Sequence, residues 1–145
     1  MGICKKYWVL AGCAVSAILA GPAVVQAEGN LAARPERLEL SIDSRDLSFS
    51  NSEYQLETGK YYVWEITHDG LEEVMIQAPD LFRNSWINQV VMNDLEVHTS
   101  GAIYGVEFDD AGSLEIAFIP IRPGNYEFFA PGFEDRGLLG TFVVR

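Results

Sequence analysis

The chain has 145 residues, with 10 Lys and Arg against 21 Asp and Glu, and a net charge of −11 at pH 7. So acidic a surface is repelled by nucleic-acid phosphates and by anionic membranes, which excludes both as simple electrostatic partners. A hydrophobic content of 48%, with 12% aromatic residues, sets it apart from acidic disordered chains and supplies a core.

Residues 1–27 read as an export signal. Lys5 and Lys6 precede an apolar run, and Val25-Gln26-Ala27 offers small residues at the cleavage positions. Pro22 and the polar residues after it argue against a retained anchor, which needs roughly 20 uninterrupted apolar residues. The expected product is periplasmic and is not inserted in the membrane after cleavage. A competing feature is Leu10-Ala11-Gly12-Cys13, a lipobox-like run that would make Cys13 an acylated lipoprotein terminus. With Lys5 and Lys6 removed, eight basic residues face 21 acidic ones, a charge of −13. Cys4 and Cys13 both lie in the leader, so the exported part carries no thiol for a disulfide, a nucleophile or a thiolate–metal bond.

Residues 28–35 are small and polar and are expected to form an arm, with one domain over 36–145. Within it, apolar residues recur with period two at Leu38, Leu40 and Ile42, at Leu47 and Phe49, and at Tyr54 and Leu56. The pattern continues at Tyr62, Trp64 and Ile66, at Tyr104, Val106 and Phe108 in a run that opens at Ile103, and at Leu114, Ile116 and Phe118. Tyr126 with Phe128 and Phe142 with Val144 end it. Turn formers such as Thr58-Gly59, Asp69-Gly70, Asn93-Asp94, Ser100-Gly101 and Arg122-Pro123-Gly124 separate the runs. Short strands at this spacing predict an all-β antiparallel Greek-key β-sandwich of about seven or eight strands. Residues 79–84 are the one helical turn expected, and Trp86 to Met92 resumes as a strand.

No Gly-rich phosphate loop, H-E-x-x-H, G-x-S-x-G or C-x-x-C occurs, which removes the best supports for an enzyme. His68 and His98 are the histidines available as bases, and each sits at a strand end, where a solvated ring is the ordinary expectation. With Met75 and Met92 they form a soft-ligand set suited to copper(I), although methionine in an apolar strand is usually core filler. Carboxylates gather at three turns, Asp69 with Glu72 and Glu73, Asp109 with Asp110, and Glu134 with Asp135. Hard cations such as calcium or ferric iron take such oxygens, while solvated turn charge is the plain alternative. Phe82, Trp86 and Phe133 are candidates for an aromatic partner-binding patch at a loop-rich end.

The C-terminal segment carries Arg122-Pro123-Gly124, then Tyr126-Glu127-Phe128, a loop through Ala130 and Phe133 to Leu138, and Gly140 before an apolar strand. It resembles the cupredoxin family, whose last strands run Pro-Gly, Tyr-x-Phe, Cys, a short loop to His, then Met, then Gly and a strand. Tyr54 to Gly59, followed by the strand over 60–67, resembles the family's earlier strand-and-turn. The resemblance covers roughly residues 38–144 and implies a cupredoxin-like fold with one short helix. Carried across, the family's cysteine falls on Ala130, its second histidine on Phe133, its axial methionine on Leu138 and its first histidine near Val74. A type 1 centre needs a thiolate and two imidazoles, so no type 1 copper and no resident cofactor are expected. The resemblance extends to cupredoxin-like domains of periplasmic iron-uptake components and to exported copper-handling proteins. It implies a partner- or ligand-binding accessory, with a non-blue copper or iron carrier as the alternative.

Overall fold

The computed structural model describes residues 33–99 and 102–145. The leader with both cysteines and the Ser100-Gly101 turn lie outside the described residues. Eleven strands and one helix run as β1 (Glu36–Asp43), β2 (Ser48–Phe49), β3 (Glu53–Leu56), β4 (Tyr62–His68), β5 (Val74–Ile76), α1 (Pro79–Arg83), β6 (Ser85–Met92), β7 (Leu95–Val97), β8 (Val106–Phe108), β9 (Gly112–Pro120), β10 (Gly124–Phe129) and β11 (Leu139–Val144). A 3-10 turn over Glu134–Arg136 precedes β11.

The larger sheet has the order β2-β1-β4-β9-β6-β7. Opposite it stand the sheet β10-β11-β3 and the ribbon β5–β8. Paired hydrogen bonds of 2.9 Å between Gln77 and Phe129 join that ribbon to β10. Most ladders are antiparallel as expected, but β1 pairs with β4 and β3 with β11 in parallel. The antiparallel expectation is corrected at these two pairs. Alternation reports which face of a strand is buried and leaves strand direction open. The strand count also exceeds expectation because β2, β5, β7 and β8 are pieces of two or three residues.

The period-two residues of the sequence line the interior. Leu38, Leu40 and Ile42 of β1, Trp64 and Ile66 of β4, and Leu114, Ile116 and Phe118 of β9 are all buried. Trp64 sits edge-on to Phe142 with ring centroids 5.0 Å apart, and Phe128 lies 4.9 Å from Phe142. Each such ring contributes about 1.5–3 kcal/mol by leaving water. Helix α1 begins at Pro79, whose fixed φ suits a first turn, and ends where Asn84 Nδ2 donates to the Asp80 carbonyl at 2.8 Å. It buries Leu81 and Phe82. The strand expected from Ile103 begins only at Val106, since Tyr104 is 75% exposed and has no face to cover.

Candidate functional site

Strands β1 and β4 run parallel and end together at Asp43 and His68, so the loops that follow them emerge at one end of the sandwich. A third loop, residues 130–138, closes on itself through backbone bonds. The Ala130 N–H donates to the Leu138 carbonyl, and the Phe133 carbonyl accepts from Leu138 N–H at 3.2 Å. Gly137 holds a left-handed φ of 115°, and a Cβ there would stand 3.1 Å from the Leu47 carbonyl oxygen, so this loop packs against the first. Leu47 itself has φ of 50°, a conformation that costs a branched side chain about 1–2 kcal/mol.

Between the three loops opens a cleft of about 720 Å³. Leu47, Leu71, Val74 and Phe133 give it apolar walls, while Arg45, Arg136, Glu72 and Glu73 bring charge to it. The Arg136 guanidinium lies 5.5 Å from the centre of the Phe133 ring, a cation–π contact that steadies both. Ala130 and Leu138, behind the cleft, are buried with Val74. The loop end therefore holds the four residues onto which the resemblance carries the family's ligands, and none of their side chains has a nitrogen, oxygen or sulfur.

A buried polar chain lies beside the cleft. His68 is 5% exposed, which corrects the expectation of a solvated ring; it lies within 5.4 Å of the Phe108 ring centre. Its Nδ1 accepts from the Gly70 N–H at 3.1 Å, so Nε2 carries the proton and donates to Ser44 Oγ at 2.6 Å. The Ser44 hydroxyl in turn donates to Asp69 Oδ1 at 2.6 Å, and the Ser44 N–H donates to Oδ2. The hydroxyl of Ser44 holds the Asp69 carboxyl below its usual range, helped by backbone N–H donors and the ring of His68. The order of donors runs away from a nucleophile, because the serine proton is given to a carboxylate and the imidazole has no free lone pair.

On the outer face of the β5–β8 ribbon, Met75 pairs with Glu107 while Val74 and Phe108 turn inward. Glu73 and Asp109 extend that register by one residue. Oxygens of Glu73, Glu107 and Asp109 lie within 4.8 Å of one another, all three exposed. Sequence reasoning placed Glu73 and Asp109 at separate turns and passed over Glu107, because no pattern in either segment announces that the two strands pair. A hydrogen bond to Glu73 raises the Glu107 carboxyl above its usual range, with the nearby charges of Glu73 and Asp109 adding to it. Glu134 is engaged otherwise, accepting the Gly132 N–H at 2.8 Å.

The soft ligands are scattered. Met75 Sδ accepts from Gln77 Nε2 at 3.2 Å, and His98 stands 3.7 Å from Glu96 on the β7 side. Met92 is 44% exposed at the end of β6 rather than filling the core. Strand β9 separates it from β4, which carries His68. The aromatic candidates do not form one patch either. Phe82 is buried and shares a second cleft with half-exposed Trp86, whereas Phe133 belongs to the loop-end cleft.

No protein-family model and no curated protein matches the chain. Solved structures do. Dithionite-reduced auracyanin from Roseiflexus castenholzii superposes with a TM-score of 0.51 at 16% identity, over 78% of this chain and 99% of that one. The fold is cupredoxin-like. Auracyanin A, a blue copper protein of Chloroflexus aurantiacus, gives 0.52 at 16% identity, over 77% of this chain and 100% of its own. A laccase-like multi-copper oxidase, CueO of Ochrobactrum sp., gives 0.60 at 14% identity over 81% of this chain. This chain spans 32% of that oxidase. At such identities the likeness extends to the fold alone.

Proposed function

We propose that this chain is an exported cupredoxin-like accessory module that binds a ligand or a periplasmic partner at its loop end, is not an enzyme, and has no type 1 copper centre. The observation that carries the reading is the set Val74, Ala130, Phe133 and Leu138. These residues stand together at one end of the sandwich and offer no donor atom, so they do not fit copper, whose type 1 centre requires a thiolate and imidazoles. In their place the end offers a cleft with apolar walls and charged edges, the usual composition of a small-molecule site. The Ser44–His68–Asp69 chain supports a structural rather than a catalytic role, for the reasons of proton direction given above. Titration with copper(II) tests this. The expected result is no intense visible band and no tight stoichiometric copper; a blue product would overturn it. N-terminal sequencing of the native product tests release after Ala27, a start at Glu28 being expected; an acylated Cys13 would make the product a lipoprotein at a membrane surface instead.

A second reading is favoured by one observation, the convergence of Glu73, Glu107 and Asp109. Three carboxylates within reach of one ion form a hard-oxygen site, which would make the chain a carrier of a cation such as calcium or ferric iron. Elemental analysis of protein taken from its own compartment separates the two, stoichiometric metal favouring the carrier.

A further inference from the structure

We propose that the loop-end cleft binds an apolar zwitterion, an amino acid with a large apolar side chain. The inference rests on the reading of that end as a ligand site and names the ligand's chemistry. Arg45 reaches the cleft from the loop after β1, and Arg136 from the loop before β11. Among the described residues neither guanidinium forms an ion pair, although the chain has 21 acidic residues to choose from. Glu72, from the loop after β4, is likewise without an ion pair, whereas Glu73 beside it is engaged with Glu107.

Opposite charges therefore face one cleft without meeting across it, and Val74 and Phe133 supply apolar surface at the same place. A ligand that is only anionic would answer the arginines but meet Glu72, and one that is only cationic would do the reverse. A zwitterion with an apolar body answers every kind of group in the lining. Its carboxylate takes the forked guanidinium donors, its ammonium takes the carboxylate oxygens, and its side chain covers the hydrocarbon. A volume of about 720 Å³ holds such an amino acid.

Three probes share one phenyl body and differ only in charge: L-phenylalanine, 3-phenylpropionate and 2-phenylethylamine. Calorimetric titration of the purified protein at low ionic strength should show saturable one-site binding of phenylalanine. The other two should each bind at least about tenfold more weakly, because each forfeits one charge-assisted contact. Arg136→Gln should weaken phenylalanine and phenylpropionate but not phenylethylamine, and Glu72→Gln should weaken phenylalanine and phenylethylamine but not phenylpropionate. Both side chains are exposed, so the variants should fold, which circular dichroism checks. Equal affinity for phenylalanine and phenylpropionate, indifferent to Glu72→Gln, would overturn the zwitterion while leaving a ligand site at this end. No saturable binding of any probe would overturn it too, and the copper titration then judges the wider reading separately.

Discussion

Oγ of Ser44 lies 2.6 Å from Nε2 of His68, and both side chains are buried at the loop end of the sandwich. One hydroxyl thus accepts from the imidazole and donates to Asp69, tying the end of β1 to the end of β4. Ser44→Ala removes both bonds and leaves a buried N–H without an acceptor, a loss of about 1–3 kcal/mol. The pH dependence has a definite sign. A carboxyl held below its ordinary range stabilises the fold above that range, and the contribution is lost as the pH falls through it. The gap between wild type and Ser44→Ala should therefore be widest near neutrality and narrow below about pH 4. Urea unfolding at pH 7 and pH 3 measures it, and a constant gap would count against the network. Nitrogen-15 spectra should show the proton on Nε2.

Glu107 has the opposite sign. Its carboxyl is raised chiefly by the hydrogen bond with Glu73, so the folded state holds a proton that the unfolded state releases. Stability then falls as the pH rises out of the ordinary glutamate range. Glu107→Gln supplies an N–H donor to Glu73 without the charge. It should be more stable than wild type at pH 7, with the advantage disappearing at pH 3, where Glu107 is protonated in both states. The same variant serves the carrier reading, because calcium titration should lose any binding that needs three carboxylates. Unchanged calcium affinity would exclude the ribbon as its site.

Much of the fold was legible because burial writes period two into the sequence. Leu38, Leu40 and Ile42, or Tyr62, Trp64 and Ile66, can satisfy their side chains only as strands with one face inward. Pro79 likewise marks the start of α1. The parallel pairing of β1 with β4 was not legible, since direction leaves no mark on alternation. The site was less legible still. His68 follows an apolar strand and precedes Asp69-Gly70, a context that reads as a solvated turn. It is buried because Ser44, 24 residues earlier, comes back to meet it. Glu107 and Glu73 are neighbours through a ladder of three residue pairs that neither segment signals.

Gly140 is where the aromatic core meets the backbone. It pairs with Phe128 across β10 and β11, and a Cβ at this position would run into the Phe128 ring. That ring cannot retreat, because it is fully buried between Phe49, Trp64 and Phe142. Gly140→Ala should therefore cost about 1–3 kcal/mol, the usual penalty of overpacking. Pairing it with Phe128→Leu, which shortens the obstructing side chain, should recover part of that loss in a double-mutant cycle. Additive losses would mean that the ring is not what Gly140 accommodates.

The family's ligands can be put back as a direct test of where they belong. Val74 and Phe133 line one cleft, and the Ala130 N–H bonds the Leu138 carbonyl at 3.0 Å, so the four positions face a common end. Val74→His, Ala130→Cys, Phe133→His and Leu138→Met would together supply a thiolate, two imidazoles and a weak thioether, the donor set of a type 1 centre. Adding copper(II) should then produce an intense band near about 600 nm, which arises from copper–thiolate bonding and which the wild type is expected not to show, since residues 36–145 contain no cysteine. The variant puts a polar imidazole in place of buried Val74, so it should be less stable without metal and regain stability when copper is bound. The decisive comparison is with Ala130→Cys alone, which has the thiolate without the imidazoles and should stay colourless. A quadruple variant that is folded by circular dichroism yet neither coloured nor stabilised by copper would mean that the ligand positions have been carried onto the wrong residues.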